Sequence, residues 1–168
     1  QGIFYETRAQ MNISVGRLPV RNLDEANQVV DKLCTYIDDK VPGKWKSQIL
    51  FLAADGDHGL HVETAEAGAE RLRTKNKDFI VNKLYLDAYT QEVNAAGESY
   101  PLAKNQFDNF INGGMLFFNY SGHGGYNNIT NELFMRTNDI RRMNNVNQAF
   151  WFLATCSFSH FDGGVTSA

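Results

Sequence analysis

The sequence is poor in the residues that mark several large classes of protein. Two cysteines among 168 residues cannot build a disulfide framework, and they leave the redox compartment open. Only three prolines, set against 43% hydrophobic and 12% aromatic residues, exclude a disordered or collagen-like chain and leave material for a sizeable core. Basic residues are not in excess. The 16 Lys and Arg face 19 Asp and Glu, a net charge of −3, which argues against nucleic acid or an anionic membrane surface as partner. The longest apolar runs, residues 115–118 and 149–154, fall far below the roughly 20 residues of a membrane-spanning helix. There is no repeat, no block of like charge, no initiator methionine and no signal-peptide pattern. The chain reads as one domain, or a piece of one, from a longer protein, with any localisation signal expected elsewhere.

What is present alternates between two periodicities. Residues 13–15 are short and β-branched and read as a strand. In residues 24–39, Ala26, Val29, Val30, Leu33, Cys34 and Ile37 share one helical face, with Asn22 or Asp24 as N-cap and Val41-Pro42-Gly43 as the stop. Residues 48–53 are continuously apolar, as in a strand buried on both faces of a parallel sheet. Val62, Ala65, Ala69 and Leu72 mark a second helix, and residues 79–86 a strand. Residues 90–100 are polar, contain Gly97 and read as a loop. Ala103, Phe107, Phe110 and Ile111 mark a third helix, closed by Asn112-Gly113-Gly114. Residues 115–120 and 149–155 read as strands and 138–143 as a short helix. This order predicts an α/β fold with a mainly parallel sheet covered by helices on both faces. Ligand sites in such sheets lie beyond the carboxyl ends of the strands. The informative residues are therefore 55–61, 87–89, 121–125 and 156–162.

Two of those strand ends share a form. Leu116-Phe117-Phe118-Asn119-Tyr120-Ser121-Gly122 delivers His123-Gly124-Gly125, and Phe150-Trp151-Phe152-Leu153-Ala154-Thr155 delivers Cys156. On neighbouring strands the two side chains emerge at one edge of the sheet, as a nucleophile and its base. An imidazolium stabilises the thiolate, which is the attacking species. The backbone amides of Gly124 and Cys156 are candidates for an oxyanion hole, with Asn119 or Ser121 as side-chain alternatives. His160, four residues after Cys156, is the second candidate base.

An apolar strand ending in His-Gly, followed by an apolar strand ending in Ala-x-Cys, resembles the signature of caspase-fold cysteine peptidases. The string Asn119-Tyr120-Ser121-Gly122-His123-Gly124-Gly125, with Cys156 33 residues after His123, is similar to the gingipain branch. Further stretches resemble PorU-type sortases of the bacterial type IX secretion system: Ser14-Val15-Gly16-Arg17-Leu18-Pro19-Val20, Ala54-Asp55-Gly56-Asp57, Leu86-Asp87-Ala88-Tyr89 and Ala154-Thr155-Cys156-Ser157-Phe158-Ser159-His160-Phe161-Asp162. The resemblance implies a caspase/gingipain-like three-layer sandwich, truncated after the Cys strand. It implies a His123–Cys156 dyad that cleaves peptide bonds through a thioester. For a sortase it implies removal of C-terminal signal domains from cargo proteins and their transfer to a lipopolysaccharide acceptor, alongside other secretion-system proteins, at the outer membrane of a Gram-negative bacterium. The alternatives are a gingipain-like secreted endopeptidase and a non-catalytic scaffold that kept the fold. Tyr126-Asn127-Asn128-Ile129 departs from the acidic, Trp-containing stretch of the peptidase members. Asp57 and Glu63 are candidates for a substrate contact or for orienting His123.

Blander readings stand beside these. Cys34, on an apolar helix face, reads as a small hydrophobe. His58 and His61 share a helical face, but two ligands do not make a zinc site. Asp57 and His160 would have to complete it, and no metal site is assigned. No cofactor is required, although Asp55 and Asp57 could hold a structural calcium; turn chemistry explains Asp-Gly-Asp equally well. Gly122–Gly125 lacks the spacing of a phosphate loop.

Overall fold

The computed structural model describes residues 13–40, 42–95, 97–132 and 134–160. Val41 of the expected helix stop and residues 161–162 of the last motif lie outside them. The chain divides into two units, one reaching Asp38 and one starting at Asp39. The first contains helix α1 (Leu23–Asp38), one residue earlier at each end than the periodicity predicts. Asn22 is its cap, accepting the Glu25 amide on Oδ1 at 2.9 Å. Residues 13–15 are not a strand: three β-branched or small residues with no pairing partner do not make one. Cys34 is exposed, which corrects its reading as a buried hydrophobe.

The second unit is built on four parallel strands in the order β2-β1-β5-β9: β1 (Gln48–Ala53), β2 (Ile80–Tyr85), β5 (Phe117–Ser121) and β9 (Phe150–Ala154). The continuous apolarity of β1 has the predicted cause, since it lies second in the sheet and both faces are covered. Ile49, Phe51 and Ala53 pack with Ala65 and Ala69 of α2 (Leu60–Lys75). Leu50 and Leu52 turn the other way and join Ala103, Phe107 and Ile111 of α3 (Pro101–Gly113). One strand thus feeds two cores, and the layers are helix, sheet, helix. Gly114, at φ 83°, stops α3 and donates its amide to Phe110 O.

The polar stretch read as a loop at 90–100 instead holds a hairpin, β3 (Glu92–Asn94) against β4 (Gly97–Ser99). Its strands are too short and too polar to show an apolar alternation. A second small sheet follows His123: β6 (Gly124–Gly125), β7 (Asn128–Ile129) and β8 (Met135–Arg136), all antiparallel. Helix α4 (Thr137–Arg142) leads on toward β9. Among the described residues no helix is long and apolar enough to cross a membrane.

Phe107 is fully buried and meets the rings of Phe118, Phe134 and Trp151 at 5.3, 5.5 and 6.4 Å between centroids. It ties α3 to β5, to β9 and to the connection between β7 and β8 of the small sheet. Phe107→Ala is expected to cost about 3–5 kcal/mol, read as a lowered urea midpoint. A loss within a few tenths of a kcal/mol would mean that α3 does not hold these elements together.

Candidate active site

The carboxyl ends of β5 and β9 are locked in register. Ser121 pairs with Ala154 on parallel neighbours, so His123 and Cys156 each stand two residues past the same rung. The Gly122 amide donates to Ala154 O at 3.3 Å, carrying the contact one residue beyond β5. Gly122 admits no side chain. A Cβ there would meet Tyr120 Oη at 2.3 Å and Ala54 Cβ at 2.6 Å. Gly124 is equally confined, with Thr155 Oγ1 2.3 Å from where its Cβ would be. The glycines that frame His123 let the two strand ends close on each other.

The backbone of His123 is strapped from below. Buried Tyr120 donates its hydroxyl to His123 O at 2.6 Å and accepts the Thr130 amide at 3.1 Å. The same amide also reaches His123 O, at 2.9 Å. Burial raises the Tyr120 pKa, so the phenol stays a donor. The His123–Thr130 bond makes Gly124–Ile129 the non-bonded rung of the β6–β7 pair, and the Gly124 N–H faces off this small sheet.

The His123 side chain is about half exposed, and its Nε2 lies 2.9 Å from Asp57 Oδ2. Asp57 reaches it from a contorted turn. Gly56, Asp57, His58 and Gly59 all have positive φ, at 83°, 45°, 55° and 82°. Asp and His tolerate this region better than most residues, but each such position still costs roughly 1 kcal/mol or more. Asp57 Oδ2 is also 3.2 Å from Nε2 of His61, in the first turn of α2. Glu63 is exposed and makes no hydrogen bond or ion pair among the described residues. His160 stacks on Tyr126 at 5.4 Å, and His58 is exposed. The cluster at this edge is therefore Asp57, His61 and His123, instead of the zinc set weighed above with His58 and His160.

Cys156 is exposed, and its thiol makes no hydrogen bond among the described residues. Register brings it and His123 to one edge without a closed thiol–imidazole bond. Asp55, two residues before Asp57, turns elsewhere and accepts the Tyr100 hydroxyl at 2.6 Å. Glu132 is buried nearby, and burial together with the Asp55 charge pushes its carboxyl above the ordinary 4.5. Sequence reasoning missed Tyr120, Thr130, Thr155 and Glu132. Only Tyr120, an apolar-strand residue carrying a hydroxyl, offered a signal.

The sequence from residue 4 to residue 168 matches the family model for peptidase family C25. The chain belongs to peptidase family C25. The fold agrees. The crystal structure of the Arg-specific cysteine proteinase gingipain R superimposes with a TM-score of 0.63 at 19% identity, over 88% of this chain and 33% of that one. The complex of the pro- and mature domains of RgpB from Porphyromonas gingivalis gives the same TM-score and coverage at 21% identity. At such identity the likeness shows the fold, and this C25 chain spans about a third of those structures. A search of curated proteins finds no match.

Two outcomes test this geometry. The methyl of Gly124→Ala would strike Thr155, not open space, so Gly124→Ala should distort the edge and lower the melting temperature. Adding Thr155→Ala should restore most of the loss by removing Oγ1. No recovery in the double variant would place the conflict elsewhere. For Glu132 the sign follows from linkage. Between its ordinary and raised pKa the folded chain keeps a proton that the unfolded chain has lost, so stability falls as pH rises through that window. Glu132→Gln should remove that fall, at about 1.4 kcal/mol per pH unit of the window. Thermal melts across about pH 4 to 8 with equal slopes in both proteins would contradict it.

Proposed function

We propose that this chain carries the catalytic edge of a cysteine acyl-transfer enzyme, with Cys156 as nucleophile and His123 as base. The observation that carries the reading is the Ser121–Ala154 register, from which both residues follow two positions beyond the ends of adjacent parallel strands. A carboxylate only accepts hydrogen bonds, so the proton of neutral His123 belongs on Nε2 beside Asp57, and Nδ1 keeps the lone pair. Nδ1 then takes the thiol proton as sulfur attacks the scissile carbonyl, and returns it to the leaving amine. Asp57 is a positioning residue that holds the ring and its tautomer. The Gly124 amide, facing off its hairpin, is one oxyanion donor and the Cys156 amide the other. Glu63 is assigned no role in this scheme.

Within family C25 we take the sortase reading, in which the cargo's C-terminal signal domain leaves and a surface glycolipid such as lipopolysaccharide resolves the thioester. It rests on the stretches around Asp55-Gly56-Asp57 and Ala154–Asp162 and on Tyr126-Asn127-Asn128-Ile129, which lacks the acidic peptidase element. Such an enzyme works at the cell surface beside its secretion machinery. The gingipain R relative is described as Arg-specific. Here Asp57, the nearest acidic candidate for reading a basic side chain, is engaged by two histidines, which favours a different specificity.

The test uses the full-length protein and a cargo with its C-terminal domain. Cys156→Ala should abolish processing with the fold intact, and Asp57→Asn should slow it by about tenfold or more, in the range that general-base catalysis supplies. Mass spectrometry of the new carboxyl end separates the two outcomes of acyl transfer. An attached acceptor supports the sortase, and a free carboxylate supports the endopeptidase. Normal processing by Cys156→Ala would sink both.

A further inference from the structure

We infer that Asp57, His61 and His123 form a site for a divalent transition-metal ion of the zinc class, and that an ion bound there withdraws His123 from proton transfer. The consequence for catalysis rests on the dyad proposed above; the site itself does not.

The three donors come from three separate pieces of chain: the left-handed turn, the first turn of α2 and the strand end after β5. Asp57 Oδ2 lies 2.9 Å from His123 Nε2 and 3.2 Å from His61 Nε2, and donor atoms of all three residues lie within 4.8 Å of one another. Tetrahedral zinc with bonds of about 2.0–2.2 Å needs donors about 3.3–3.5 Å apart. The carboxylate–imidazole spacings are therefore a few tenths of an ångström from a coordinating set. The imidazoles meet edge to face, with centroids 5.1 Å apart and planes at 87°, so their nitrogens converge on the carboxylate instead of stacking past it.

His61 gives the independent sign. Its Nε2 is buried and makes no hydrogen bond, although Asp57 Oδ2 is 3.2 Å away. Buried polar atoms are ordinarily hydrogen-bonded, and a ring nitrogen that faces a carboxylate without a hydrogen bond to it stands as a ligand atom does beside a shared cation. Asp57 and His123 are each about half exposed, so an ion can enter. Two imidazoles and one carboxylate suit zinc, cobalt or nickel and suit calcium or magnesium poorly, because those prefer all-oxygen shells.

Occupancy and catalysis exclude each other. Neutral imidazole has one N–H and one lone-pair nitrogen. An ion that takes the Nε2 lone pair of His123 obliges the ring proton to sit on Nδ1. The Nε2–H bond breaks while an Nδ1–H bond and a metal–Nε2 bond form, and the ring then has no atom left to accept the thiol proton. A bound ion is thus a reversible off-state.

The test titrates the full chain, with Cys34→Ala and Cys156→Ala removing the competing thiolates, with zinc chloride in a calorimeter. One ion per chain should bind. His61→Gln should weaken binding at least about tenfold, His160→Gln should leave it unchanged, and calcium at the same concentration should give no heat. Cobalt(II) in the same thiol-free chain should give the visible bands of a tetrahedral ion, a readout that does not depend on how His61→Gln folds. With both thiols restored, zinc should slow iodoacetamide modification of Cys156 and a chelator should reverse it. In His61→Gln, zinc should no longer slow that modification. Zinc binding that His61→Gln leaves unchanged, or cobalt bands absent from the thiol-free chain, would overturn the site. Alkylation that ignores His123→Ala, with His61-dependent zinc binding intact, would overturn the dyad and keep the site.

Discussion

The pairing of β5 with β9 is the constraint on which the rest of this edge depends. Parallel strands offset by one residue would turn one of two adjacent side chains to the opposite face. The register of Phe117 to Phe150 through Ser121 to Ala154 fixes that choice over five rungs. Stacked Phe117 and Phe150, at 5.6 Å, hold one face of the pair, and Phe118 against Trp151, at 4.9 Å, holds the other. Hydrophobic packing at the amino end of these strands therefore sets the height of His123 and Cys156 at the carboxyl end. The confined glycines allow the approach, and the Tyr120 hydroxyl anchors the His123 carbonyl.

The large elements were legible because their signals are physical and local. Continuous apolarity marked β1, since a strand covered on both faces has no polar side. A 3.6-residue period marked α1, α2 and α3, and paired glycines marked the end of α3. The small sheets escaped. Elements of two or three residues such as Gly124–Gly125 and Asn128–Ile129 are held by the backbone bonds of tight hairpins and by neighbours, and they are too short to carry a pattern of their own. Residues 13–15 failed the other way, with β-branched composition but no strand to pair with.

At the edge, sequence spacing put weight on His123, Cys156 and Asp57, and these stand near the ends of β5, β9 and β1. Which groups touch could not be read. That depended on four successive positive φ values, which aim Asp57 across the sheet edge, and on the first turn of α2, which turns His61 toward the same point and leaves His58 in solvent. Glu63 looked equivalent to Asp57 as a carboxylate, but it sits exposed on the helix. Thr155 looked like a spacer and proves to be the wall against Gly124.

The central claim is that strand register makes Cys156 a chemically distinct thiol. The chain holds its own reference in Cys34, which is also exposed but lies in a helix far along the sequence from any histidine. Limiting iodoacetamide on the full-length protein, followed by peptide mass spectrometry, gives the ratio of the two modification rates in one tube. The account predicts Cys156 reacting at least about tenfold faster than Cys34, in keeping with thiolate control of reactivity, with His123→Ala bringing the ratio close to one. Equal rates in the wild-type chain, or a ratio that His123→Ala leaves unchanged, would contradict it.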